Sequence, residues 1–305
     1  MTNKLLLILL VSFFNFIFPP IQAKNVTFAT FNTFWLFDDQ QPMKQWWLKQ
    51  RGKNKQTYDE ALTLVAKAIS KTKADVIALQ EIENLEVLSD LNKKLKNYNS
   101  SYKYLWISQT GDDFTGQNVA LLSRHPQFKN SMVVTAYPKE IEYYLTEKDR
   151  GSERETGLSK ALRVDLEIEK SVYSVFVFHL KSQSGGINAD QKRLAQATIV
   201  RRITQPLISQ GENVLIMGDL NADRGSPSLL RIRGFDDIYS GLYQPIYSDK
   251  FKGDKWTYKY KGRAKQLDHI LISNSVKNKI RKGHINYDHS YSTSDHYPLI
   301  LTLDL

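Results

Sequence analysis

Short apolar runs recur along the chain, and polar segments separate them. Many of the runs are apolar at consecutive rather than alternate positions, which is typical of strands that are buried on both faces of a sheet. Their lengths also suit strands better than helices. The pattern therefore predicts strands near residues 25–32, 75–80, 118–123, 161–168, 172–180, 213–218, 267–272 and 297–304.

Two segments show the spacing of an amphipathic helix instead. Apolar residues recur three or four positions apart from Tyr58 to Ser70 and from Asp190 to Ile203. Helices among many strands that are apolar on both faces imply sheets covered by helices. Because the alternation of strand and helix breaks down across residues 100–185, we expect a two-sheet α/β sandwich with outer helices rather than a doubly wound sheet.

The beginning of the chain has the composition of a secretory signal peptide. A lysine precedes an apolar run, and a proline pair and Ala23 follow it. The run is shorter than the ~20 residues that span a bilayer, so we expect cleavage near Ala23 rather than an anchor helix. The sequence predicts a signal peptide over residues 1–23, one domain over residues 24–305, a monomer, and a secreted or periplasmic location.

The formal net charge of +10 favours an anionic partner, such as nucleic acid or an acidic membrane surface. A lysine-rich soluble surface would carry the same charge. Basic residues are dense between residues 44 and 55, where Trp46 and Trp47 suit either stacking on bases or lipid headgroups, or ordinary packing. The absence of cysteine excludes disulfides, thiolate metal sites and cysteine nucleophiles.

Polar residues follow several predicted strands directly. Asn32 and Glu81 each end such a run and would project from its carboxyl end. Magnesium takes few protein oxygens and completes its shell with water and phosphate, so one glutamate and one amide oxygen are a sufficient anchor. Glu83 and Glu86 lie nearby, but only Glu81 adjoins the strand. A solvated loop glutamate remains the alternative.

Asp219 and Asn221 follow another run, with Gly218 at the turn. Residues two apart in an extended chain lie on the same side. A carboxylate that takes a proton from water, and an amide that holds this water or a phosphoryl oxygen, need such proximity. Local bonds within an ordinary turn are the alternative.

Two Asp-His contexts complete the pattern, since Asp268 precedes one apolar run and Asp295-His296 precedes the last. A carboxylate that holds a histidine in one tautomer is a recurring catalytic device, and Asp268 could serve His296 in this way. Asp295 could reach a cation. His179, near the end of a strand, could donate a proton or bind phosphate, or be a core histidine bonded to a carbonyl.

In this order the motifs resemble the endonuclease/exonuclease/phosphatase superfamily of metal-dependent phosphoesterases, which includes deoxyribonuclease I, repair nucleases, sphingomyelinases and inositol-phosphate phosphatases. The resemblance implies a four-layer α/β sandwich, with two mixed β-sheets packed face to face and outer helices. It also implies roles for the motif residues: metal binding by Asn32, Glu81 and Asp295, water activation by Asp219 with Asn221, support of His296 by Asp268, and an acid or phosphate-binding role for His179.

One position departs from the family pattern. Deoxyribonuclease I-like members support the second histidine with a glutamate, whereas this chain has Gln117 and Asn118 there. An amide cannot raise the pKa of an imidazole as a charge would, so phosphate binding is favoured over acid catalysis for His179. Among basic and polar residues, Arg150, Arg154 and Asn118 are the expected substrate contacts.

Several stretches, among them NVALLSR and GDLNADRGSPS, resemble bacterial extracellular nucleases. The resemblance predicts a secreted Mg²⁺-dependent nuclease acting on DNA, with RNA as a second substrate and Mn²⁺ or Ca²⁺ as alternative cations. The alternatives are a sphingomyelinase-type phospholipase C, in which Trp46-Trp47 would contact membrane lipid, an inositol-phosphate phosphatase, and a non-catalytic polyanion-binding protein. Competent side chains at every matched position argue against the last.

Overall fold

The computed structural model describes residues 24–38, 40, 57–108, 115–143, 154–234, 241–288 and 294–305. The predicted signal peptide, Trp46-Trp47 and Arg150 lie outside the described residues. Within the described ranges, no helix combines the length and the apolar character needed to cross a membrane.

The described chain forms a mixed α/β structure. Its strands are β1 (Asn25–Leu36), β2 (Val76–Ile82), β3 (Tyr104–Ile107), β4 (Asn118–Ser123), β5 (Tyr137–Tyr143), β6 (Arg154–Leu158), β7 (Ala161–Ile168), β8 (Ser171–His179), β9 (Asn213–Asp219), β10 (Phe251–Lys252), β11 (Tyr258–Tyr260), β12 (Arg263–Lys265), β13 (Asp268–Ile272), β14 (Ile280–Ile285) and β15 (Leu299–Asp304). Its α-helices are α1 (Tyr58–Thr72), α2 (Leu85–Lys96), α3 (Gly186–Ser209), α4 (Pro227–Arg233) and α5 (Asn274–Lys277).

Most of the strands belong to two sheets. A seven-stranded sheet has the order β10-β14-β15-β1-β2-β4-β3, and a four-stranded sheet has the order β13-β9-β8-β7. Both are mixed, because β1 and β2 run parallel, as do β8 and β9, while β15 and β13 run antiparallel to β1 and β9 respectively. The short pairs β5-β6 and β11-β12 stand apart from the two sheets.

The core has three parts, which define four layers. One buried cluster draws apolar side chains from both sheets and lies between them. A second cluster joins the large sheet to α1 and α2, and a third joins the small sheet to α3 and α4. The α/β/β/α order matches the predicted four-layer sandwich.

Strand β8 shows why the sequence folds in this way. Val175 and Val177 belong to the cluster between the sheets, whereas Phe176 and Phe178 belong to the cluster beneath α3. Successive side chains of a strand point to opposite faces, so a strand sandwiched between a sheet and a helix must be apolar at every position. This is the run pattern from which the strands were predicted.

All eight predicted strands and both predicted helices are present; residues 118–123 and 161–168 have the predicted ends, and the other elements have shifted ends. Helix α3 begins before Asp190 and continues beyond Ile203. The prediction missed α2, although its signals are in the sequence: Asn84 caps the helix by accepting a hydrogen bond from the Val87 amide, and buried apolar residues follow at helical spacing. It also missed β14, whose Arg281, Lys282 and Gly283 disfavour a strand until β15 pairs with it.

Candidate active site

The ends of the central strands of both sheets meet at one edge of the sandwich. Because β1 and β2 are parallel neighbours, Asn32 and Glu81 lie at the same edge of the large sheet. Because β8 and β9 are parallel neighbours, His179 and Asp219 are register partners at the corresponding edge of the small sheet. The Asn32 amide bridges the two sheets, donating to Asp219 Oδ2 at 3.0 Å and to Glu81 Oε1 at 3.2 Å.

The antiparallel strands bring their beginnings to the same edge. Asp268 starts β13 and is the register partner of Asp219. Ser294 anchors the segment before β15, since its hydroxyl donates to the Asn32 carbonyl at 2.7 Å and accepts from the His296 amide at 3.0 Å. Parallel strand ends and antiparallel strand starts therefore converge on one site.

The backbone at this edge contains several left-handed residues. Glu81 has φ 65° and Asn221 has φ 50°, in a region that non-glycine residues seldom occupy. Gly218 has φ 135°, and a Cβ added there would lie 2.0 Å from the Phe178 carbonyl oxygen. Only glycine fits where β9 passes so close to β8 and turns into the motif. Such strained positions commonly cluster at functional sites.

Asp268 and His296 form a buried hydrogen-bonded pair. The distance from His296 Nδ1 to Asp268 Oδ2 is 2.7 Å, and Asp268 is fully buried. Burial disfavours the charged ring, but the carboxylates of Asp268 and Asp219 outweigh burial and hold the pKa of His296 well above its ordinary value. His296 therefore carries a positive charge near neutral pH, with its Nε2 3.7 Å from Asp219 Oδ2.

Asp219 occupies the centre of the site. Its Oδ1 accepts a hydrogen bond from the Asn221 amide at 2.9 Å, and its Oδ2 accepts the one from Asn32. Burial raises the pKa of Asp219 to about 7, against the opposing effect of the His296 charge. A carboxyl group with this pKa is suited to exchange protons near neutral pH. The side-chain nitrogen of Asn221 donates to the Leu180 carbonyl at 3.0 Å, which fixes the amide plane beside Asp219.

His179 has the opposite electrostatic character from His296. Burial lowers the pKa of His179 well below its ordinary value, and the positive charges of Lys160 and His296 lower it further. Its Nε2 lies 3.6 Å from Asp219 Oδ2, while its Nδ1 is buried without a hydrogen-bond partner in the described structure. His179 is thus a neutral imidazole, which suits binding of a phosphoryl oxygen better than supply of a proton.

The environment of Gln117 explains this neutrality. The Gln117 side-chain oxygen accepts a hydrogen bond from Lys160 Nζ at 2.6 Å. The family pattern has a carboxylate that hydrogen-bonds the histidine at this position. This chain instead has the Gln117 amide, which accepts a hydrogen bond from Lys160. The lysine charge adds to burial in lowering the pKa of His179. The sequence predicted the lack of a carboxylate at this position but not the lysine.

Glu81, Asn32 and Asp295 offer carboxylate and amide oxygens to a divalent cation at this edge. Burial raises the pKa of Glu81 and of Asp295, so a bound cation would stabilise their charged forms. Asp295 Oδ1 is buried without a hydrogen-bond partner in the described structure, which leaves an oxygen available to a ligand. A set of carboxylate and amide oxygens fits a hard divalent cation.

A different trio, Asp219, Asp268 and His296, also has ligand atoms within 4.8 Å of one another. We assign these residues to proton and phosphate chemistry instead. The Nδ1 of His296 is engaged by Asp268, and a protonated imidazole has no lone pair for a metal.

Two pockets open at this centre, and Glu81 and His179 line both. The first has a volume of about 640 Å³, and its wall includes Lys160, Lys181 and Lys192. The second has a volume of about 350 Å³ and contains Asp219, Asn221, Asp295 and His296, with Arg263 and Lys265 at its wall. Most of the catalytic candidates therefore line the smaller pocket, and basic side chains line both pockets.

The structure brings together eight of the predicted site residues: Asn32, Glu81, His179, Asp219, Asn221, Asp268, Asp295 and His296. Asn118 begins β4, where its side chain donates to the Glu83 carbonyl at 2.7 Å and accepts from the Ser108 hydroxyl at 3.2 Å. Arg154 is exposed at the start of β6. Substrate contact by these two residues stays a prediction.

Sequence reasoning missed Thr257 and Lys160. The buried Thr257 hydroxyl accepts hydrogen bonds from the amides of Leu267 and Asp268, each at 3.0 Å, and so positions the start of β13. Neither residue lies in a distinctive local pattern. Their importance depends on contacts with segments that are distant in the chain.

Comparison with known proteins identifies the family and the fold of the chain. The sequence profile described as "Endonuclease/Exonuclease/phosphatase family" matches residues 26–292. No curated protein sequence matches the chain.

Solved structures share the fold at low sequence identity. An endonuclease/exonuclease/phosphatase from Bacteroides vulgatus has 14% identity and a TM-score of 0.63, covering 92% of this chain and 99% of that one. Sphingomyelinase C from Streptomyces griseocarneus has 17% identity and a TM-score of 0.58, covering 92% and 100%. Truncated TDP2 from Caenorhabditis elegans has 17% identity and a TM-score of 0.54, covering 92% and 98%.

Proposed function

The chain belongs to the endonuclease/exonuclease/phosphatase family, whose members are metal-dependent hydrolases of phosphoric esters, and from this premise we propose that it is a nuclease that hydrolyses DNA. The observation that carries the proposal is the catalytic centre itself: a charged Asp268–His296 pair beside Asp219, next to two pockets lined by basic side chains. RNA is a second substrate with the same phosphodiester chemistry.

Asp219 is the proposed general base. Its pKa of about 7 lets a useful fraction accept a proton from water near neutral pH, and Asn32 and the Asn221 amide hold the carboxylate in place. The water would attack phosphorus in line with the bond that breaks. The proton leaves the water for Asp219 while the new phosphorus–oxygen bond forms, and the electron pair of the broken bond goes to the leaving oxygen.

His296 supplies positive charge where the phosphoryl oxygens gain negative charge. Asp268 fixes the ring orientation and stabilises its protonated form. Neutral His179 also lies beside Asp219, with its Nε2 3.6 Å from Asp219 Oδ2, and we assign it to contact with a phosphoryl oxygen. A charged and a neutral imidazole thus both lie close to the same carboxylate oxygen.

We assign the divalent cation to Glu81, Asn32 and Asp295, and propose that it is Mg²⁺. When bound, it would neutralise negative charge on the phosphate and lower the pKa of water. Oxygen ligands and the small number of protein groups favour Mg²⁺, while Mn²⁺ and Ca²⁺ accept similar ligands.

A polyanionic substrate fits the charge of the site. Lys160, Lys181 and Lys192 line one pocket, and Arg263 and Lys265 line the other. The net charge of +10 adds long-range attraction for nucleic acid. We also propose export through residues 1–23; N-terminal sequencing of the exported protein would test this by showing Lys24 as its first residue.

The first test is nicking of supercoiled plasmid in Mg²⁺ and in EDTA. We expect nicking in Mg²⁺ alone, and a loss of at least ~10²-fold in Asp219→Ala and in His296→Ala, because each removes a proton acceptor or a positive charge from the transition state. If the folded wild-type protein cleaves neither plasmid, nor linear DNA, nor RNA, the nuclease proposal is refuted.

Sphingomyelin vesicles serve as the comparison substrate, since the chain shares its fold with a sphingomyelinase C. Hydrolysis of sphingomyelin under conditions that leave nucleic acids intact would replace the proposal with a lipid phosphodiesterase. The inositol-phosphate alternative is checked in the same way, by release of phosphate from soluble inositol phosphates.

A further inference from the structure

Two bulky aromatic residues adopt an unusual backbone next to the site. Phe34 and Trp35 both have φ 56°, and they lie where the pairing of β1 with β2 shifts register between Asn32 and Leu36. Left-handed backbone is unfavourable for such side chains, and two in succession are rarer still. A conformation of this kind persists only where the surroundings impose it.

The surroundings that impose it are candidate catalytic residues. The Phe34 amide donates to Asn32 Oδ1 at 3.0 Å, and the Trp35 amide donates to Glu81 Oε2 at 2.9 Å. The strained turn therefore orients the carboxylate and the amide that we assign to the cation. Its two side chains are positioned by the same hydrogen bonds.

The turn sends the two rings into different pockets. Trp35 lines the larger pocket, together with Lys160, Lys181 and Lys192. Phe34 lines the smaller pocket, together with Tyr258, Tyr260, Arg263 and Lys265. Glu81 and His179 line both pockets, so each ring shares a pocket with residues of the catalytic centre.

Core packing does not account for this arrangement. Both rings are half-buried, although the neighbouring Leu36 and Phe37 are fully buried. Trp35 contacts the Phe37 ring at a centroid distance of 5.4 Å and also forms part of the pocket wall. A strained backbone that leaves large aromatic surface beside cations is typical of a binding site.

We propose that Phe34 and Trp35 each bind the base of one of the two nucleotides that flank the scissile phosphodiester. An aromatic ring stacks on any base, and the cations of each pocket bind the neighbouring phosphates. A substrate held on both sides of the reacting phosphate is cut at internal bonds. This inference rests on the proposed nuclease function and deepens it to an endonuclease that contacts both flanking bases.

The test uses short single-stranded oligonucleotides with one natural phosphodiester among phosphorothioate linkages, which keep their charge and resist hydrolysis. One substrate has both flanking bases. In the second substrate a tetrahydrofuran abasic unit replaces the nucleoside on the 5′ side, and in the third it replaces the nucleoside on the 3′ side. Steady-state kcat/KM is measured for the wild-type protein and for Phe34→Ala and Trp35→Ala. The three substrates differ only in which ring can stack on a base.

We expect each alanine variant to lose about 10-fold in kcat/KM on the complete substrate, the usual size of a lost stacking contact. Removing the base next to Trp35 should not lower the kcat/KM of Trp35→Ala any further. Removing the base next to Phe34 should likewise not lower the kcat/KM of Phe34→Ala any further. Trp35→Phe, which keeps an aromatic face, should stay within about 3-fold of wild type. Phe128→Ala removes an exposed ring, 41% accessible, away from both pockets and should have no effect.

Equal losses on all three substrates would overturn the inference, and so would variants with wild-type rates. In either case the wild-type protein still cleaves, so the nuclease function stands. Failure of the wild-type protein to cleave any oligonucleotide would refute the nuclease function itself, and variants impaired only on sphingomyelin vesicles would show that the rings contact lipid. Thermal melting identifies any variant that unfolds; Trp35→Leu and Phe34→Leu, which keep apolar bulk without an aromatic face, then replace the alanine variants.

Discussion

At the scale of single residues, the two imidazoles of the site show how neighbours decide chemistry. His296 contacts Asp268 and is held in its charged form, whereas His179 lies near Lys160 and stays neutral. Both rings are buried, so burial alone does not separate them. The charges that act on each ring do, because carboxylates raise the pKa of His296 whereas Lys160 and His296 itself lower that of His179.

The contrast gives a prediction for Gln117. Gln117→Glu should raise the pKa of His179, because a carboxylate paired with Lys160 would offset the lysine charge that now lowers it. An NMR titration of the His179 ring measures the change. Gln117→Leu removes the amide without adding charge and is the matched control. An unchanged His179 pKa in Gln117→Glu would show that Lys160 does not set the protonation of this ring.

The catalytic types of residue were predictable because aspartate, asparagine and histidine at the ends of apolar runs are conspicuous. Lys160, Phe34 and Trp35 were not predictable in the same way. A lysine near a turn and two aromatics in a strand-like segment are common in any sequence. Their positions at the site follow from hydrogen bonds with Gln117, Asn32 and Glu81, which are distant or have no local signature.

At the scale of elements, the turn after β9 depends on one glycine. Gly218→Ala should destabilise the protein by more than ~3 kcal/mol, because its Cβ would lie 2.0 Å from the Phe178 carbonyl oxygen and its φ is 135°. Gly225→Ala is the matched control, since Gly225 also has a positive φ, 79°, but open space around it, and should cost about 1 kcal/mol. Urea unfolding of both variants measures the difference; equal losses would mean that strand contact does not require glycine.

The same turn is held from the other side by His269. This residue is fully buried on β13, where its Nε2 lies 2.8 Å from the Ala222 carbonyl oxygen. Its Nδ1 lies 3.1 Å from the Gln244 side-chain nitrogen and 3.2 Å from that of Gln266, so it accepts while Nε2 donates. The arrangement requires a neutral ring.

Acid should therefore loosen this connection. Burial lowers the pKa of His269 from 6.5 to about 4. Between these values the unfolded chain binds a proton that the folded protein excludes, so this residue makes the folded state lose about 3 kcal/mol of stability as pH falls from 6.5 towards 4. Above pH 6.5 both states are neutral and the effect is absent.

Chemical unfolding at several pH values tests this expectation. The free energy of unfolding of His269→Gln should fall less steeply than that of the wild-type protein over the same pH range, because glutamine does not titrate. Parallel pH curves for the two proteins would contradict the assignment of the acid sensitivity to His269.

Elements were predictable where their environment leaves a simple pattern. Strands covered on both faces are apolar throughout, as β8 and β9 are, and a helix on a sheet has one apolar side, as α1 has. Strands at exposed positions, such as β14, carry charges and glycine and form because a neighbour pairs with them.

At the scale of the whole molecule, the site exists only where the two sheets pack. Asn32 and Glu81 come from the large sheet, while His179, Asp219 and Asp268 come from the small one. The hydrogen bond from Asn32 to Asp219 crosses between them. Any loss of sheet packing would therefore separate the candidate cation residues from the proposed general base.

The excess of positive charge gives a prediction at this scale. For a nucleic-acid substrate, kcat/KM should fall at least ~10-fold between about 50 and 200 mM salt, because bound cationic side chains displace counterions from the phosphates. An uncharged small phosphate triester gives no such response and is the control substrate. A flat profile with DNA would contradict a basic footprint on both sides of the catalytic centre.

The sequence by itself determined the layered α/β fold class and the chemical types at the catalytic edge. Both follow from local sequence patterns, namely runs of apolar residues and the polar groups that end these runs. Only the tertiary structure decided which ring is charged, where Lys160 lies, and that Phe34 and Trp35 diverge into two pockets. Protonation and ring placement depend on distances between segments far apart in the chain, and periodicity carries no information about those distances.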